Sequence, residues 1–139
     1  IFIAFPMIRK VSIWLILLFI FSSSIYPSTN SFVKVFYFHG PIRCHTCLQI
    51  ENEIKMTLNQ KFDKEMKNKK IVFECIDYVS DTTNNYEKQY NLENQALIIA
   101  KFENNKQVKW KNLDKIWKFT GNFDKMSRYI SIEINDYLK

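Results

Sequence analysis

Glycine and proline are scarce in this chain, two and three among 139 residues, and that scarcity argues against a turn-rich sandwich or barrel. General disorder is excluded too, because 47% of the residues are hydrophobic and 16% aromatic, enough to bury a core. The length suits one domain and is short for two. No flavin or nicotinamide fingerprint is present, so no cofactor is expected and any electrons must come from another protein. Internal repeats and low-complexity blocks are also missing. An excess of positive charge exists but is modest. Of the formal +6, Arg9 and Lys10 belong to the N-terminal leader described next, which leaves 18 basic against 14 acidic side chains, or +4. The lysines scatter over 55–70 and 101–118 among acids, which reads as a solvated surface and not as a nucleic-acid interface.

Met7-Ile8-Arg9-Lys10 followed by the apolar run Val11–Phe21 and by Ser22-Ser23-Ser24 has the pattern of a secretory signal peptide. Met7 is the expected start, six residues into the chain. The apolar run is short of the ~20 residues that span a bilayer; an uncleaved anchor over residues 11–26 is the alternative, and the one membrane association expected. None of the three cysteines lies near the cleavage region, so a lipid anchor on a new N-terminal cysteine is not available. The expected location is exported, periplasmic or extracytoplasmic. Residues 22–31, rich in Ser, Pro, Thr and Asn, read as a linker. The chain therefore divides into 1–30, signal or anchor plus linker, and a domain over 31–139.

Within that domain Val33–Phe38 is almost continuously apolar, as a central strand covered on both faces would be. Cys47, Ile50, Ile54, Leu58 and Phe62 then recur every three or four residues and mark one face of a helix, with Gln49, Asn52, Glu53 and Lys55 mostly outside it. Ile71–Tyr78 reads as a second, largely buried strand. A short helix follows around Tyr86 and Tyr90, and Ala96–Phe102 is a third strand. Glu103-Asn104-Asn105-Lys106 has hairpin-turn chemistry leading to a fourth strand at Gln107–Trp110. Leu113, Ile116 and Trp117 suggest a helical turn or two. The last helix is plainest, with Met126, Tyr129, Ile130, Ile134, Tyr137 and Leu138 at helical spacing behind Asn122 as N-cap. Strands alternating with helices imply parallel pairing, closed by an antiparallel hairpin. The expected architecture is α/β, a mixed four-stranded sheet with helices on both faces.

The chemistry concentrates in Cys44-His45-Thr46-Cys47, at the junction of the first strand and first helix. There the free N–H groups and the positive end of the helix dipole stabilise a thiolate. Cys44, flanked by Arg43 and His45, is the candidate attacking thiolate, and Cys47, one turn in, the candidate resolving thiol. His45 between the two favours the thiolate and a more oxidising disulfide. His39 is a candidate neighbour of the site or a simple cap of the strand end. Cys75 alternates with Phe73 and Asp77 and reads as a small buried hydrophobe. Trp110 and Trp117 read as core or partner-docking aromatics. Two other readings compete with redox exchange. One is a structural disulfide, although so short a loop constrains the unfolded chain little. The other is capture of a soft metal or metalloid by Cys44, Cys47 and His45; a lone C-x-x-C is weak evidence for that, since structural zinc sites add a second pair.

The element order with C-x-x-C opening the first helix resembles the thioredoxin fold. Phe38-His39-Gly40-Pro41-Ile42-Arg43-Cys44-His45-Thr46-Cys47 together with Trp110-Lys111-Asn112-Leu113-Asp114-Lys115-Ile116-Trp117 resembles the small exported thioredoxin-like proteins labelled "nitrophenyl compound nitroreductase subunit ArsF family". The resemblance covers residues 32–139. It implies a thioredoxin-like fold and the two cysteines as a dithiol pair, and it does not imply nitroreduction. Disulfide exchange with a partner protein is the activity expected, with a membrane-embedded electron donor as the partner consistent with the leader. The resemblance also implies that the loop before the third strand, here Gln95-Ala96, docks substrate. Thioredoxins carry a cis-proline there, and this chain has none; a cis bond before a non-proline costs about 2.5–4 kcal/mol, so a trans peptide is expected. They also bury an acid at the end of the first strand, where this chain has Phe36-Tyr37-Phe38. Glu74, a histidine or water must then manage the proton.

Overall fold

The computed structural model describes residues 30–139. The expected signal peptide or anchor lies outside them, and among the described residues no helix is long and apolar enough to cross a membrane. The order of elements is β1 (Ser31–His39), α1 (His45–Lys61), α2 (Asp63–Lys67), β2 (Ile71–Asp77), α3 (Tyr86–Tyr90), β3 (Ala96–Glu103), β4 (Lys106–Asn112), α4 (Ile116–Phe119) and α5 (Phe123–Leu138). The strands form one mixed sheet in the order β2-β1-β3-β4.

Strand alternation sorts the side chains of β1 to two cores. Val33, Val35 and Tyr37 face α1 and α5 and meet Ile50, Ile54, Leu58, Met126, Ile130 and Ile134. Phe36 and Phe38 face the other way and meet Tyr90, Leu92, Ala96 and Ile98, roofed by α3. The helical faces expected for α1 and α5 are the buried ones, and Asn122 caps α5 by accepting the Lys125 N–H at 3.1 Å. Helices thus cover both faces of a mixed four-stranded sheet.

Three details depart from expectation. Alternation of strands and helices predicts parallel pairing; β2 is parallel to β1, but β3 is antiparallel to it. The connection from β2 holds one five-residue helix, about 7.5 Å long at 1.5 Å per residue, against roughly 25 Å for the strand. So short a helix does not itself return the chain along the sheet, and β3 leaves from the end where β2 stopped. Second, β2 is an edge strand, so only Ile71 is fully buried and the rest of it is half-exposed. Third, Glu53 is buried instead of solvated, with Gln49 Nε2 donating to its carboxylate at 3.0 Å. The cause is α5, which packs beside α1 and widens the covered arc of that helix.

The hairpin chemistry is as read. Asn104 and Asn105 sit at φ 51° and 63°, the two positive values that a primed turn needs and that asparagine tolerates.

Tyr37 and Tyr90, one in each core, give the fold a predictable alkaline limit. Burial pushes both hydroxyls up to about 12 from an ordinary 10.0. In the unfolded chain they ionise first, so the unfolded state holds fewer protons between these values. Stability is therefore full below pH 10 and falls as pH rises towards 12, by about 1.4 kcal/mol per pH unit for each tyrosine. Urea midpoints measured on either side of pH 10 should show the fall; a midpoint flat to pH 12 would contradict it.

Candidate functional site

The site begins where β1 ends. Tyr37 points to the α1 side of the sheet, His39 closes the strand, and the chain turns through 40–43 into the N-terminus of α1. Cys44 is the N-cap of that helix, with φ −75° and ψ 163°, and its Sγ accepts the Cys47 N–H at 3.1 Å. A sulfur so placed satisfies one of the helix's free donors and feels its dipole. Cys44 and Cys47 form a disulfide, their Cα atoms 5.1 Å apart. The two sulfurs are not equivalent. Cys44 is exposed, whereas Cys47 is 3% exposed, and the Tyr37 hydroxyl donates to the Cys47 carbonyl at 3.0 Å from below.

Arg43 precedes Cys44, but its guanidinium turns inward. It pairs with Glu51 on α1, and its Nη2 donates to Cys75 Sγ on β2 at 3.9 Å. Glu51 also takes the Lys55 ammonium at 2.5 Å, although its side chain is only 8% exposed. Sequence reasoning missed this carboxylate. The signal was there, since Glu51 lies four residues after Cys47 and so on the same helix stripe.

Cys75 is half-buried on the α1 face of the sheet, beside Tyr37 in register, and is not the fully buried residue expected. It opens outward because β2 is an edge. Burial pushes its thiol up, while Arg43 and Lys55 pull it down. Glu74, one of the groups expected to manage the proton, points to the opposite face and pairs with Lys34 at 2.7 Å. Strand alternation separates it from Cys75, and it cannot serve the dithiol.

His45, the first residue of α1, is exposed. His39 is half-buried, and its Nδ1 lies 2.8 Å from the Gly40 carbonyl, a contact that requires Nδ1 to carry the proton. It stands in register with Asp77. Asp77 is held below the usual carboxylate range chiefly by the Ser80 hydroxyl, then by the Ser80 and Val79 N–H groups and by His39.

Gln95 and Ala96 reach the same end of the sheet, since Ala96 pairs with Phe38. Ala96 is buried and its side chain carries no polar atom, so only its backbone can offer hydrogen bonds there. Among the described residues no peptide is cis. The loop borders a polar depression of about 310 Å³ lined by Asn94, Gln95, Ala96, Asn112 and Trp117. Trp117 is 41% exposed, so it belongs to this surface and not to the core, while Trp110, 39% exposed, stands edge-on to Tyr90. For the metal reading, among the described residues no three His, Cys, Asp or Glu side chains converge on one point.

No family model matches this chain, and no curated protein matches it. Three chains among solved structures do. One is the germline-specific thioredoxin Deadhead of Drosophila melanogaster, at 19% identity and TM-score 0.41, covering 68% of this chain and 81% of that one. Another is a malarial protein, at 14% identity and TM-score 0.39, covering 64% of this chain and 97% of that one. The thioredoxin-like fold stands here on strand order, pairing sense and the helix-capping C-x-x-C disulfide.

Proposed function

We propose that the protein is a thiol–disulfide oxidoreductase that exchanges disulfides with a partner protein through Cys44 and Cys47. The observation that carries this is the asymmetry of the pair, an exposed sulfur at a helix N-cap bonded to a buried one a turn deeper. A purely structural bridge has no need of that exposure. From the oxidised form, a partner thiolate attacks Cys44 Sγ, the Cys44–Cys47 bond breaks, and Cys47 leaves as a thiolate that takes up a proton. The second thiol of the partner loses its proton and attacks its own mixed-disulfide sulfur, which releases Cys44. Two electrons have then moved from the partner dithiol to Cys44–Cys47, and one disulfide has replaced another. Run backwards, the same steps oxidise the protein at the expense of a partner disulfide.

The finer reading places this exchange outside the cytoplasm and draws the electrons from an envelope protein. It rests on the leader pattern of residues 7–24 and on the lack of any cofactor fingerprint. The kinship with the exported ArsF-labelled group belongs to the same proposal and rests on Phe38–Cys47 and Trp110–Trp117.

Trapping tests it. Cys47→Ser in the native host should accumulate a partner bound covalently at Cys44, released by reductant and lost in Cys44→Ser/Cys47→Ser. No adduct, with a Cys44–Cys47 potential below about −300 mV as structural disulfides show, would sink the proposal.

A further inference from the structure

Glu51 is a charge in an expensive place. A carboxylate taken out of water must be compensated, and its side chain is 8% exposed. Two cations compensate it, Arg43 from the loop before the helix and Lys55 from the next turn. The position is also close to the dithiol. Glu51 follows Cys47 by four residues, which puts their Cβ atoms about 5–6 Å apart on one helix stripe. The other groups gathered here are Tyr37 from β1, whose hydroxyl holds the Cys47 carbonyl, and Cys75 from β2, in contact with Arg43.

The charges oppose one another in sign. The first turn of α1 carries no acidic residue, so the helix N-terminus, Arg43 and Lys55 all favour thiolates at Cys44 and Cys47. Glu51 alone in this cluster disfavours them. It acts twice in the same direction, through its own buried and poorly screened charge and through its hold on Arg43, which turns that guanidinium towards β2.

We infer that Glu51 is a positioning residue for the dithiol, a buried acid that holds Arg43 and Lys55 in place and makes the Cys44–Cys47 disulfide less oxidising than the surrounding cations would leave it. The thioredoxin position for a buried acid, at the end of β1, is filled here by apolar and aromatic side chains, and α1 supplies the carboxylate instead. This inference rests on the proposed exchange activity.

The test equilibrates the purified protein with a dithiol/disulfide buffer of known potential. Glu51→Gln should shift the equilibrium about tenfold towards the reduced form, a rise of about 30 mV for a two-electron couple. The ultraviolet absorbance of the Cys44 thiolate should then appear at lower pH. Glu51→Asp, which keeps the charge, should restore most of the wild-type potential, a rescue that a packing role would not predict. Should Glu51→Gln fail to fold, Arg43→Gln reads the same network with the opposite sign, and its potential should fall. An unchanged or lowered potential in folded Glu51→Gln, or an unchanged one in Arg43→Gln, overturns the inference and leaves exchange standing. A wild-type dithiol that cannot be reduced in the buffer sinks both.

Discussion

Cys44→Ser should abolish exchange with any disulfide probe, lowering the rate on the order of a thousandfold or more, because a serine hydroxyl is not ionised near neutral pH and a thiolate is the nucleophile. The fold should survive. Serine is a better N-cap than cysteine, and its Oγ can take over the Cys47 N–H that Cys44 Sγ now accepts. The lost bridge closes a loop of four residues and removes about 2 kcal/mol of unfolded-state constraint. A far-ultraviolet spectrum and a urea curve establish the fold, and a stopped assay with a small aromatic disulfide reads the rate. Retention of even a tenth of the wild-type rate would mean that Cys44 is not the attacking sulfur, and Cys75 would be the next thiol to consider.

Phe38→Ala should produce the largest loss of stability, about 3–5 kcal/mol. Phe38 is fully buried at the end of β1, with ring centroids 5.3 Å from Phe36, 5.1 Å from Tyr86 and 5.5 Å from Tyr90, and Tyr78 edge-on at 6.4 Å. Truncation removes the central ring of that cluster and leaves α3, five residues long, held to the sheet by Phe36, Trp110 and the Tyr90–Gln107 hydrogen bond. Against a total of about 5–15 kcal/mol for a domain, such a loss leaves a marginal fold. The urea midpoint should drop with little change in slope. A loss under about 1 kcal/mol would show that the α3 layer contributes little to the core. The consequence reaches the site as well, since Phe38 pairs with Ala96 and immediately precedes the His39–Arg43 turn into the dithiol helix.

Local pattern carried much of this structure. The stripe Cys47, Ile50, Ile54, Leu58 and Phe62 and the stripe Met126, Ile130, Ile134 and Tyr137 are the buried faces of their helices, because a 3.6-residue period leaves few other solutions. Asn122 and the Asn104-Asn105 turn act through atoms only a few residues away, so their chemistry is readable without the fold. The dithiol is of the same kind. A C-x-x-C after an apolar strand and before a helical stripe places one sulfur at a cap and the other a turn inside, and both are found there.

What sits around the dithiol obeys different rules. Arg43 adjoins Cys44 in the chain yet turns to Glu51 and Cys75, since a buried carboxylate eight residues away and a thiol on a neighbouring strand outweigh adjacency. Glu74 faces away for want of one residue of register, and Cys75 is half-open because its strand lies at the sheet edge. The antiparallel sense of β3 goes with a connection whose one short helix does not return the chain to the starting end of β2. Periodicity, capping and the C-x-x-C are short-range properties, and the amino-acid order alone specifies them. Which charges meet, which face an acid takes and which strand becomes an edge depend on contacts between residues far apart in the chain, and only the assembled sheet and its helices settle those.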